Sequence, residues 1–147
     1  GHLELVKHLT QSGVPVMGHL GLTPQSVHAF GGFKVQARTE EAAQQLLKDA
    51  KNLQEAGCFA LVLECVPSEV AKQVTEGLHI PTIGIGAGPY CDGQVLVLQD
   101  MLGAQPQFKA RFVRHYADLA GTIQEAVQNF TRDVHSGAFP TAEESYR

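Results

Sequence analysis

Apolar residues follow two patterns along this chain, a helical spacing of three and four and short unbroken runs, and the two alternate. Leu3, Val6 and Leu9, with Glu4 and Lys7 between them, predict the end of a helix over Leu3 to Thr10, with Gly13 placed to cap it. Val14-Pro15-Val16-Met17-Gly18-His19 has the pattern of a buried strand, with proline near the start where it is tolerated. Leu22-Thr23-Pro24-Gln25-Ser26 has the form of a short helix start, with Thr23 as N-cap and Pro24 at the first helical position, and Gly31-Gly32 ends that element. The clearest helix opens at Thr39, its predicted N-cap. Ala42, Ala43, Leu46, Leu47, Ala50 and Leu53 recur at helical spacing, and Gly57 stops it.

Cys58 to Leu63 is then a continuous apolar run that ends in Glu64. A strand without alternation is expected to be covered on both faces, as in parallel sheets. Ser68 to Leu78 predicts an amphipathic helix with Val70, Ala71 and Val74 inward. Ile80 to Ile85 is the next predicted strand, and Gly93 to Leu98 the last. Phe108 to Val134 is predicted to be mostly helical, with Leu119, Ile123, Val127 and Phe130 as core, and Gly137 and Pro140 close it before a polar tail.

Helices alternating with non-alternating strands predict an α/β fold with about four parallel strands and C-terminal helices. Four strands cannot close a barrel, which takes about eight. Pattern alone leaves two architectures open, a small open α/β domain and one half of something larger.

Composition narrows the function classes. The chain has 147 residues, 44% of them hydrophobic, which is globular rather than disordered. A net charge of -4 with scattered basic residues offers no footprint for nucleic acid or anionic lipid. No apolar stretch approaches the ~20 residues of a membrane span. Gly1 to Thr10 has the charges but not the apolar segment of a leader, and without an initiator Met the natural protein is expected to begin further upstream. Cys58, Cys65 and Cys91 show no CxxC spacing, which argues against a zinc site or disulfide framework and fits a reducing cytoplasm.

Candidate chemistry gathers where strands end. In parallel α/β folds the carboxyl ends of the strands carry the site. Glu64, directly after Leu61-Val62-Leu63, is a candidate general base. The alternative is a loop-start carboxylate that binds a backbone amide. His19, in Gly18-His19-Leu20-Gly21, is a candidate donor to a substrate oxygen, or a ring that bonds a loop carbonyl. The pair is a better candidate than either residue alone. Gly84, Gly86 and Gly88, followed by Pro89, match neither a dinucleotide fingerprint nor a phosphate loop. They read either as a tight turn needing positive φ or as backbone that approaches a cofactor at Gly84 and Gly86. Cys65 has no activating histidine beside it in sequence and is not read as a nucleophile.

Several long strings in register resemble the ketopantoate hydroxymethyltransferase family. Pro15-Val16-Met17-Gly18-His19-Leu20-Gly21-Leu22-Thr23-Pro24-Gln25-Ser26, continued by Phe30-Gly31-Gly32-Phe33-Lys34-Val35-Gln36, is similar to its fifth-strand motif. Leu61-Val62-Leu63-Glu64-Cys65-Val66-Pro67 is similar to the sixth, and Ile83 to Gly88 with Cys91-Asp92-Gly93-Gln94 to the seventh and eighth. The resemblance implies a (β/α)8 TIM barrel of the phosphoenolpyruvate/pyruvate superfamily, with residues 1–147 as the C-terminal portion of that one domain and the N-terminal strands absent.

It further implies a homo-oligomeric enzyme of pantothenate synthesis that takes a small 2-oxo acid, 3-methyl-2-oxobutanoate, with methylenetetrahydrofolate as co-substrate. Under it Glu64 is the catalytic base and His19 contacts substrate. Magnesium is implied as well, with its ligands on the absent strands and none in this chain. Asp92 and Asp100 are the nearest acidic reserves. On this reading the chain alone is inactive. Two rival readings are a different 2-oxo-acid lyase of the same barrel superfamily and a non-catalytic fragment that self-associates through its open edges.

Overall fold

The structure is a computed structural model that describes residues 2–23 and 34–146. Its residues up to Val95 and those from Leu96 onward form two compact units. The helix start expected at Leu22–Ser26 falls largely outside the described residues.

The first unit is built on a four-stranded parallel sheet in the order β1 (Met17–Gly21), β2 (Ala60–Glu64), β3 (Thr82–Ile85), β4 (Gly93–Gln94). Helix α1 (Leu3–Gln11) precedes β1, α2 (Glu40–Glu55) precedes β2, and α3 (Ser68–Gly77) connects β2 to β3. The helix signals act as their chemistry requires. Thr39 caps α2, its hydroxyl accepting from the Ala42 N–H at 3.3 Å. Gly13 and Gly57 take the left-handed backbone just past α1 and α2, with φ of 80° and 95°.

Pairing of β1 with β2 sets Gly18 opposite Leu61, His19 opposite Val62 and Gly21 opposite Glu64. Glu64 in turn lies opposite Ile85. Leu61 and Leu63 therefore point to one face, where Ala43, Leu46 and Ala50 of α2 and Val70, Ala71 and Val74 of α3 close a core over them. The other face carries His19, Val62, Glu64, Ile83 and Ile85, all only partly buried. The strands are apolar on both sides, as expected of a sheet covered on both faces; α2 and α3 pack on one face, and the other is partly buried among the described residues.

Two expectations are corrected at the chain ends of this unit. The first strand begins at Met17 rather than Val14, and Val14 and Met17 are exposed. The last strand is two residues long, because β3 ends at Ile85 and Gly86 turns away at φ 63°. Beyond the bond from the Val95 N–H to the Gly84 carbonyl the ladder has nothing to pair with.

The second unit holds a short helix, α4 (Leu98–Met101), and a long one, α5 (Leu119–Ser136). Residues 108–118 are not helical, a correction to the expected helix from Phe108. Asp118 starts α5 by accepting the Gly121 N–H at 3.0 Å, and Gly137 ends it at φ 73°. Ile123, Val127 and Phe130 of α5 are exposed and not core as expected, and no residue of α5 is buried. No helix among the described residues is long and apolar enough to cross a membrane.

Candidate active site

The strand register brings the two candidate groups together. His19 lies two residues before the end of β1, and Glu64 is the last residue of β2. Both side chains leave the sheet on its partly open face. His19 Nε2 and Glu64 Oε2 are 3.0 Å apart, with the side chains 31% and 17% exposed. With Glu64 ionised, the Nε2–H donates to the carboxylate, which fixes the tautomer and holds the ring. Neither plain alternative describes the pair. Among the described residues the recorded partner of the Glu64 carboxylate is His19 and not a backbone amide, and the partner of the ring Nε2 is Glu64 and not a loop carbonyl.

The backbone around Glu64 is gripped from three sides. The Leu22 N–H donates to the Glu64 carbonyl at 2.8 Å. The Cys65 N–H donates to the Ile85 carbonyl at 2.9 Å, and the Gln36 N–H to the Cys65 carbonyl at 2.8 Å. Cys65 is left-handed, with φ 50°, which turns the chain out of the strand immediately after Glu64. Its thiol is pushed above the usual range, first by burial and then by the negative charge of Glu64, so it stays protonated. None of Gly21, Leu22 and Gln36 stands out as a support for Glu64 in the sequence. The one available signal is a glycine at the residue that parallel pairing sets opposite the carboxylate.

The glycine loop after β3 has packing reasons for its composition. A side chain at Gly84 would meet Cys91 Sγ at 3.0 Å and the Gln94 amide at 3.1 Å. Gly86 and Gly88 have positive φ, and a side chain at Gly88 would collide with Ser68 at the start of α3.

The acidic reserves do not build a metal site. Among the described residues no group of three His, Cys, Asp or Glu is placed to hold an ion. Asp92 is engaged at the opposite end of the sheet. Its Oδ2 accepts from the N–H of Thr82, the first residue of β3, at 2.8 Å and from its hydroxyl at 3.1 Å. The Thr82 hydroxyl accepts the Asp92 N–H at 3.3 Å in return. Asp100 sits in the first turn of α4. Magnesium prefers near-octahedral oxygen coordination with one or two carboxylates. The described residues supply no such set, so they do not fit the magnesium ion implied by the resemblance.

The family model described as ketopantoate hydroxymethyltransferase matches residues 1–142. The 3-methyl-2-oxobutanoate hydroxymethyltransferase of Francisella tularensis subsp. tularensis (strain FSC 198) is 53% identical over 146 residues, 99% of this chain and 55% of that protein. The protein of the same name from Nitratidesulfovibrio vulgaris (strain DP4) is 62% identical over 144 residues, 98% of this chain and 47% of that protein. The chain spans about half the length of the curated relatives it matches, and its four parallel strands are half the complement of an eight-stranded barrel. With a family model covering nearly its whole length, the chain belongs to the ketopantoate hydroxymethyltransferase family.

Proposed function

We propose that these residues serve an enzyme that adds a hydroxymethyl group to 3-methyl-2-oxobutanoate, drawing the carbon from methylenetetrahydrofolate and giving ketopantoate in pantothenate synthesis. The reading rests on the family, on the substrate in its relatives' names, and above all on one observation. That observation is the partly buried His19–Glu64 pair at the carboxyl ends of neighbouring parallel strands.

In this reading Glu64 removes the proton from C3 of the oxo acid, the carbon next to the ketone. The C–H electrons become the C2=C3 bond of the enolate. The one-carbon unit exchanges its two C–N bonds to the folate for a bond to C3 and a bond to a water oxygen, and the two freed nitrogens take up the proton that Glu64 removed and the proton that water loses. His19 orients the carboxylate through Nε2, and its other ring nitrogen, Nδ1, faces the substrate. Nδ1 donates to a substrate oxygen only when the ring carries both protons. Gly86, one residue past Ile85, brings backbone without a side chain to the same end of the sheet, and we place the approach of the folate there, with Gly84 beneath it. The complete protein is proposed to be a cytoplasmic homo-oligomer.

Replacement of the base tests the reading. Glu64→Gln in the complete protein keeps the shape and removes the proton acceptor. Exchange of the C3 proton with deuterated solvent, followed by NMR, is expected to fall by about 10²-fold or more, while oxo-acid binding changes little. Exchange within about tenfold of wild type removes Glu64 as the base.

A further inference from the structure

We propose that Gly21 and Cys65 are positioning residues for Glu64, acting through their backbone conformations to aim its carboxylate at the substrate. The inference rests on the reading of Glu64 as the proton acceptor.

The side chain of Glu64 leaves a backbone that has just reached the end of its strand, where pairing normally frays. Here hydrogen bonds continue past the strand end. The peptide group joining Glu64 to Cys65 is held from both sides, its carbonyl by the Leu22 N–H and its N–H by the Ile85 carbonyl. The next peptide group is held through the Cys65 carbonyl by the Gln36 N–H. Three separate stretches of chain thus fix two successive peptide groups, and these lie directly after a carboxylate whose direction they set.

Two residues make that grip possible. Gly21 has φ 91°, and a side chain there would collide with the Glu64 carbonyl oxygen and reach Val66 Cγ1 at 2.8 Å. No other residue lets the Leu22 N–H approach the Glu64 carbonyl so closely. Cys65 has φ 50°, a conformation uncommon for a residue with a Cβ, and this swings its carbonyl toward Gln36. Uncommon backbone beside reactive groups is one way a fold fixes their direction. The protonated thiol plays no part in this positioning. Cys65 acts through its φ and not its sulfur, so glycine should replace it and a β-branched residue should not.

Three variants of the complete enzyme test this beside Glu64→Gln. Gly21→Ala and Cys65→Val are each expected to lower kcat by about tenfold or more with KM within about twofold, since small misplacements of a reacting group can cost up to about 10²-fold. Both should also shift the acidic limb of the kcat–pH profile, which loss of stability alone does not move. Cys65→Gly, the conservative variant at the same position, should rescue both kcat and profile to near wild type. Should Gly21→Ala or Cys65→Val not fold, the other read against Cys65→Gly decides. A loss in Cys65→Gly equal to that in Cys65→Val overturns the proposal in favour of the sulfur. Wild-type kcat in both Gly21→Ala and Cys65→Val, with Glu64→Gln inactive, overturns the positioning role and leaves the base in place. An active Glu64→Gln enzyme removes the base, and the positioning role falls with it.

Discussion

Asp92→Ala tests whether the aspartate of the Cys91-Asp92-Gly93-Gln94 motif is structural. Thr82 opens β3 and is fully buried, while β4 pairs only from Ile83 onward. At that step of the ladder the Thr82 N–H has no strand to meet, and Asp92 Oδ2 takes its place at 2.8 Å. The Thr82 hydroxyl joins the same oxygen and lies 2.8 Å from the Thr75 hydroxyl of α3, so one carboxylate ties two strands and a helix. Hydrogen bonds to charged groups are worth about 1.5–3 kcal/mol each, and a buried donor left without a partner costs about 1–3 kcal/mol. Asp92 itself is exposed, so water replaces part of what is lost. The expected net cost in the complete protein is about 1–3 kcal/mol, a fall in Tm of roughly 2–5 °C for a protein about twice the length of this chain. Asp92→Asn keeps an acceptor for the N–H and should lose about half as much. Differential scanning calorimetry reads both variants. A Tm for Asp92→Ala within about 1 °C of wild type refutes the tie, since even the lower bound predicts more. An Asp92→Asn protein with wild-type Tm but no magnesium affinity would instead make Asp92 a metal ligand.

Two further outcomes follow from local chemistry. Thr39→Ala removes the side-chain cap of α2 and is expected to cost about 1 kcal/mol, seen as an earlier melting transition with the fold intact. The Cys58 thiol is raised by burial and the Cys65 thiol by burial and Glu64, so both stay protonated beyond the ordinary value of 9.0. Their alkylation at pH 8 should be slower than that of free cysteine and should still be climbing at a pH where free cysteine has levelled off, with mass-mapped iodoacetamide labelling as the readout.

Most of what positions the site was legible in the residues, because it depends on local signals. The apolar run before Glu64, the Thr39 cap and the stop at Gly57 each fix an element by its own chemistry. The meeting of His19 and Glu64 follows once β1 and β2 are parallel neighbours. What was not legible depends on partners distant in sequence. Gly93–Leu98 is apolar enough for a strand, but strand length is set by β3, which ends at Ile85. The start of α5 at Asp118 was missed because apolar residues between Phe108 and Tyr116 mimic a helical pattern that no capping group supports. The support around Glu64 comes from the Leu22 and Gln36 N–H groups, and backbone donors leave no mark on residue type.

The apolar pattern of the sheet bears on how it is covered. Val62, Ile83 and Ile85 are as apolar as the fully buried Leu61 and Leu63, yet they lie on the partly open face with His19 and Glu64. Fully burying one such side chain is worth about 1.5–3 kcal/mol, and these three, already partly buried, leave a fraction of that unrealised. A strand apolar on both sides is built for a sheet covered on both sides. Relatives about twice this length supply enough chain for that cover, and we place their additional strands against this face. The placement has a chemical consequence. Glu64 and His19 lie on that face, so under the proposed function the added strands would complete the desolvation of the base. On the proposed reading of Glu64 as the base, this half contributes the proton acceptor and the backbone that directs it.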